Sequence, residues 1–226
     1  MAGIRFDTNV LRKLLENAYF IIGTGYAGKS TMVRMLAEKY GGVRCGENYS
    51  EKLFDLIDPV RQPNLGYFQT MPDWQAFVSR TPEAYEAWYD GCAAEGAQLE
   101  LIELIRRAEG GRRVFVDTNI PVGVLREISD YRRVAVMLSG QGEAARRFFD
   151  RPDAEKQFLY RCILESRDPE GTMANFRACI ERVNRPERRR AFEESGFFVL
   201  TRDECRTPEQ TLAILERHFQ LMEDQA

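Results

Sequence analysis

Gly23-Thr24-Gly25-Tyr26-Ala27-Gly28-Lys29-Ser30-Thr31 is the stretch that decides how this chain folds. Before it, Tyr19 to Ile22 is apolar without alternation, as in a strand buried on both faces. After it, Lys29 to Tyr40 sets Met32, Val33, Met35 and Leu36 at helical spacing, and Gly41-Gly42 stops the helix. The loop satisfies G-x-x-x-x-G-K-[ST] in full, with a strand before it and a helix after it. Glycines let such a backbone wrap tightly, so that successive N–H groups face phosphate oxygens. The helix N-terminus adds partial positive charge. Lys29 is placed to reach the β- and γ-phosphates, and the Ser30 hydroxyl to ligate Mg²⁺.

Gly23, Gly25 and Gly28 also satisfy G-x-G-x-x-G, the dinucleotide fingerprint. Glu47 lies where its ribose-binding acid would fall. A dinucleotide site has no use for Lys29-Ser30 at the start of its helix, whereas a triphosphate site needs both. The triphosphate reading is therefore preferred.

Working outward, Val43 to Cys45, Val114 to Val116, Val134 to Leu138 and Phe197 to Leu200 read as further strands. Helices are expected over Thr8 to Asn17, Ala84 to Ala108, Pro121 to Asp130 and Pro208 to Met222, the last with Thr207 as N-cap. Glu143 to Arg190 reads as mostly helical, broken near Pro152 and Pro169. Strands alternating with helices predict an α/β fold: one parallel five-stranded sheet with helices on both faces, as a single domain over 1–226. Ligands in such sheets bind beyond the carboxyl ends of the strands. Residues 47–90 break the alternation. Pro59, Pro63, Pro72 and Pro82 punctuate them, and they hold nine of the 25 aromatic residues and both tryptophans. This aromatic insert is either a pocket for a second ligand or a satellite hydrophobic cluster.

Composition bounds the rest. With 226 residues, 44% hydrophobic and 30% charged, the chain is of ordinary globular type and long enough to bury a core without disulfides. The longest N-terminal apolar run, Ala18 to Ile22, is too short for a signal peptide or a membrane span. Cys45, Cys92, Cys162, Cys179 and Cys205 are scattered and contain no C-x-x-C, which fits a reducing cytoplasm. A lone histidine, His218, argues against histidine metal sites and triads. Net charge is −3, yet residues 106–190 carry 19 basic against 13 acidic side chains. Only five of the 32 basic residues are lysine, so this excess is arginine. The negative total and the lack of a binding motif argue against nucleic acid.

The loop and its spacing to the later elements resemble the P-loop kinases of small molecules, such as the shikimate, gluconate and nucleoside monophosphate kinases. The resemblance is strong over Tyr19 to Tyr40 and positional elsewhere. It implies a nucleotide-kinase-like fold, ATP and Mg²⁺ as cofactors, and a small-molecule phosphate acceptor as partner. Asp117, in V-F-V-D-T-N, is similar to the acid that holds Mg²⁺ through water, although it also suits a helix N-cap. Ala145 to Asp153 is similar to an arginine-bearing lid. There Arg147 and Arg151 would share one helix face and stabilise charge on the transferring group. The other reading is a solvated face paired with Asp150 and Asp153. Leu200 to Glu209 resembles an adenine-wrapping loop, with Arg202 or Arg206 stacking on the base, or else a plain capping loop. Glu47, with Asp55 and Asp58 as further candidates, would orient an acceptor hydroxyl or take its proton. Its alternatives are a surface charge or a ribose contact. Ile120, standing where D-x-x-G needs glycine, and the lack of N-K-x-D argue against a GTPase. A nucleotide-binding regulatory module without phosphotransfer is the competing function.

Overall fold

Five short strands, β1 (Ala18–Gly23), β2 (Val43–Cys45), β3 (Val114–Asp117), β4 (Val134–Leu138) and β5 (Phe198–Thr201), form one parallel sheet ordered β2-β3-β1-β4-β5. The computed structural model describes residues 7–150 and 153–221. The helices are α1 (Thr8–Leu14), α2 (Lys29–Tyr40), α3 (Tyr67–Thr70), α4 (Trp74–Val78), α5 (Pro82–Ala108), α6 (Val122–Ile128), α7 (Glu143–Arg146), α8 (Ala154–Leu164), α9 (Pro169–Val183), α10 (Pro186–Glu193) and α11 (Pro208–Phe219). Among the described residues, no helix is long and apolar enough to cross a membrane.

The order of the strands places a crevice. β1 leads through α2 to β2, two positions away on one side. Its neighbour β3 leads through α6 to β4, on the opposite side of β1. The loops leaving β1 and β3 diverge, and ligands settle in such an opening.

Both faces of the sheet are covered, which explains the non-alternating strands. Tyr19 and Ile21 pack with Met32, Val33 and Leu36 of α2 and with Leu212, Leu215 and Phe219 of α11. Phe20 and Ile22 pack on the other face with Leu104 of α5 and Leu125 and Ile128 of α6. Thr207 caps α11 in a reciprocal capping box with Gln210. That helix ends at Phe219, where Gln220 takes a left-handed φ of 55°, and Met222 lies outside the described residues. At the other end of the chain, α1 stops at Leu14 and does not reach Asn17. Leu15, 1% exposed, turns into the core, and Ala18 must enter the sheet.

The aromatic insert and the arginine-rich segment fold together into a helical cap beside the sheet. Phe77, Tyr85, Trp88 and Phe68 pack ring to ring, with Phe77 4.9 Å from Trp88 and 5.0 Å from Phe68. Phe176 of α9, 0% exposed, closes the cluster 5.6 Å from Tyr85. Phe77 and Tyr85 are therefore hydrophobic core, with Tyr67, Trp74, Trp88 and Tyr89 packed against them. Ion pairs fasten the outside of the cap. Glu83, Glu86 and Asp90 lie on one face of α5. Arg182 reaches Glu83 at 2.6 Å and Glu86 at 2.8 Å, Arg185 also bonds Glu86, and Arg188 reaches Asp90 at 2.6 Å. Part of the arginine excess thus holds helix to helix.

Candidate functional site

The loop between β1 and α2 is laced to β4 by its own backbone. Gly23 has φ 124°, and a Cβ there would sit 2.0 Å from the Met137 carbonyl oxygen, so only glycine fits. Thr24 donates its N–H to that oxygen at 3.1 Å, and its Oγ1 accepts from the Ser139 N–H at 2.7 Å. Gly28, at φ 92°, turns the chain into α2. Tyr26 is a non-glycine residue held at φ 62°, a conformation costing about 1–2 kcal/mol. Two bonds hold it there: its hydroxyl donates to the Arg147 carbonyl, and its own carbonyl accepts from Arg202 Nη1 at 2.7 Å.

Behind the loop, charged and hydroxyl groups converge. Lys29 Nζ donates to the Thr24 carbonyl at 3.1 Å and lies 3.9 Å from Asp117 Oδ1. Ser30 Oγ donates to Asp117 Oδ2 at 2.6 Å. Asp117 is 2% exposed and ends β3, in register with Ile21 of β1. It is not the cap of α6, which begins at Val122 behind Pro121. A serine hydroxyl beside a buried carboxylate is a hard oxygen donor set. It fits a Mg²⁺ ion that draws its remaining ligands from water and phosphate.

Two adjoining cavities open here. One, of about 270 Å³, is lined by Gly25 to Thr31 and Glu47. No side chain caps α2, so the first-turn N–H groups of Lys29, Ser30 and Thr31 border this space with no intrahelical partner. The other, of about 330 Å³, runs from Gly23, Thr24 and Gly25 to the loop after β3 and to α5 and α10. Gly25 belongs to both. Glu47 is exposed at the first cavity, and its charge is felt in the second. There, burial pushes the Tyr89 phenol up, Arg188 opposes the shift, and Glu47 adds to it.

The sequence-predicted residues divide accordingly. Gly23 to Thr31, Asp117 and Glu47 come together. Asp58 does not join them: its Oδ1 accepts from the Val60 N–H at 2.9 Å within a local turn. Asp55 lies in the 3₁₀ helix Glu51–Leu56 and lines neither cavity. Arg147 does not lie on the helix expected to carry it with Arg151. α7 ends at Arg146 and residues 147–149 are a turn, while Arg151 lies outside the described residues. The reason is Phe148-Phe149. Both rings pack on Phe176, at 5.8 and 6.0 Å, and consecutive helical residues point about 100° apart. Arg147 nevertheless borders the loop, 5.6 Å over the Tyr26 ring, between Glu143 and Asp150 at 3.7 Å each. Arg202 grips the loop backbone, and Arg206 bonds the Thr201 carbonyl at 3.3 Å.

Sequence reasoning missed the second cavity's walls, notably Asp90, Asn119, Arg188 and Arg189. Pro186 at the first turn of α10 was a usable signal, because it starts a helix that carries three consecutive arginines. Glu100 of α5 was also missed. Its Oε2 accepts from Tyr49 Oη at 2.8 Å and from Thr118 Oγ1. Burial pushes this carboxyl above the usual range and nearby Asp117 adds to that, against the two hydroxyl donors.

Comparison of the chain with protein-family models, curated proteins and solved structures found no match.

Proposed function

We propose that this chain is an ATP-dependent phosphotransferase acting on a small-molecule hydroxyl. The observation that carries the reading is the pair of cavities joined at Gly25, one bordered by the glycine-rich loop and Lys29, the other walled by α5, α10 and the loop after β3. The sheet order supports it, because the second cavity opens between the β1 and β3 loops and meets the first at Gly25. The dinucleotide alternative gives no work to Lys29 or to the Ser30–Asp117 bond.

In this reading the loop N–H groups and Lys29 hold the β- and γ-phosphates of ATP. Ser30 and Asp117 would hold Mg²⁺, which would supply charge neutralisation at those phosphates. The acceptor hydroxyl enters from the second cavity, which meets the first at Gly25. A bond forms from the acceptor oxygen to that phosphorus, and the bond to the β–γ bridging oxygen breaks. The bridging electron pair leaves with ADP, and the hydroxyl proton passes to the Glu47 carboxylate and then to water. Arg147, beside Tyr26, is the lid arginine of this reading.

The test is Mg²⁺-dependent ADP release by wild type, Asp117→Asn and Glu47→Gln. Asp117→Asn should weaken apparent Mg²⁺ affinity about 10–100-fold. Glu47→Gln should lower turnover while leaving ATP affinity unchanged. Identical Mg²⁺ dependence in wild type and Asp117→Asn would refute the metal assignment.

A further inference from the structure

The phosphotransfer reading leaves open what the second cavity receives, and the cavity's walls restrict the answer. Its volume of about 330 Å³ is room for about eleven waters at ~30 Å³ each, the scale of a monosaccharide or a nucleoside. Its charged groups are already spoken for. Arg188 Nη2 lies 2.6 Å from Asp90 and 3.6 Å from Glu86. Arg189 pairs with Glu193 at 2.9 Å and donates to the Ser139 carbonyl at 2.6 Å. Each guanidinium thus shares its charge with a carboxylate, so the walls present little net positive charge to a phosphate or carboxylate on the incoming molecule.

What the walls offer freely is neutral or accepting. Asn119 is exposed at the cavity, and its amide is bonded to no other described side chain or backbone group. Asn184 commits its Nδ2 to the Ile180 carbonyl at 2.8 Å, which leaves its carbonyl oxygen as an acceptor. The Asp90 side chain is 53% exposed and keeps Oδ2 available for hydroxyl donors. Tyr89 and Phe192 supply apolar surface. Resting on the phosphotransfer reading, we propose that this cavity binds an uncharged, hydroxyl-bearing ring, a sugar or the ribose of a nucleoside, gripped by Asp90, Asn119 and Asn184. Shikimate, gluconate and nucleoside monophosphates are all anions, so the inferred acceptor departs from those of the kinases that the loop resembles.

The experiment measures acceptor-stimulated ADP release by the full chain with MgATP. One arm holds free sugars, a second holds nucleosides, and a third holds their monophosphates together with shikimate and gluconate. Stimulation should be confined to the first or the second arm, and which of them responds identifies the source of the ring. Asn119→Ala, at an exposed position, should raise the acceptor KM about tenfold without changing the KM for ATP. Asp90→Asn should do the same, and by removing one of the two carboxylates at Arg188 should improve use of the monophosphates several-fold. Preference of the wild type for the third arm overturns the proposal. So does a lack of stimulation in every arm while MgATP still binds, an outcome that leaves nucleotide binding standing. Loss of MgATP binding itself would instead strike the reading underneath.

Discussion

The sheet's carboxyl end and the helical cap beside it are built by different means. At the sheet end the backbone does the positioning: Gly23 abuts the Met137 carbonyl, Thr24 bonds to β4, and Gly28 turns the chain into α2. In the cap, side chains do it. Phe77, Tyr85, Trp88 and Phe176 interlock, and the α5 carboxylates meet arginines of α9 and α10. A backbone device tolerates almost no change at its key residue. A side-chain cluster spreads its stabilisation over many partners and should loosen locally.

The contrast is sharpest at Gly23. Gly23→Val places a Cβ where the Met137 carbonyl stands, at a φ that valine avoids. We expect it to cost more than about 4 kcal/mol and to abolish nucleotide binding, as urea denaturation and titration would show. A folded Gly23→Val protein with normal stability would break the account of the sheet end. Phe176→Ala is the matching change in the cap. Removing a fully buried ring should cost about 3–5 kcal/mol. MgATP affinity of the folded variant should stay within a few-fold of wild type, because β4 braces the loop and only Tyr26 is bonded to the cap, through the Arg147 carbonyl. A collapse of nucleotide affinity at low denaturant would show that the two regions are not separable.

The smallest effect concerns the sheet's amino-terminal end. His218 stacks on Phe198 at 4.3 Å and donates from Nε2 to the Val134 carbonyl at 3.0 Å. Burial holds its pKa below the usual 6.5, against the backbone hydrogen bonds and the charge of Asp130. The neutral ring's contribution is therefore full above pH 6.5 and is lost as pH falls through the lowered value. As the chain's only histidine, it gives a single imidazole signal in an NMR titration. Its midpoint should lie below 6.5, with thermal stability declining over the same range.

What the sequence revealed follows the same division. The loop was readable because its nine residues are contiguous, and its glycines set a local backbone geometry that their spacing alone specifies. The strands were readable because burial on both faces leaves an unbroken apolar run. Asp117 was placed by its position at a strand end. The cap was not readable in this way. Arg188 means little until α10 folds against α5, 98 residues away from Asp90 in sequence. Glu100 gains its character only from Tyr49 and Thr118, which two other segments deliver. Helical spacing misleads at Arg147, because it assumes a helix that stops at Arg146, where two adjacent phenylalanines are drawn to one buried ring.

The central claim is that the Gly23 to Thr31 loop holds the phosphates of MgATP through Lys29. Calorimetric titration of MgATP into wild type and Lys29→Ala tests it most directly. Saturable binding to wild type is expected, weakened about a hundredfold or more in Lys29→Ala, with the unfolding profile unchanged. Equal affinity in the two proteins would contradict the assignment.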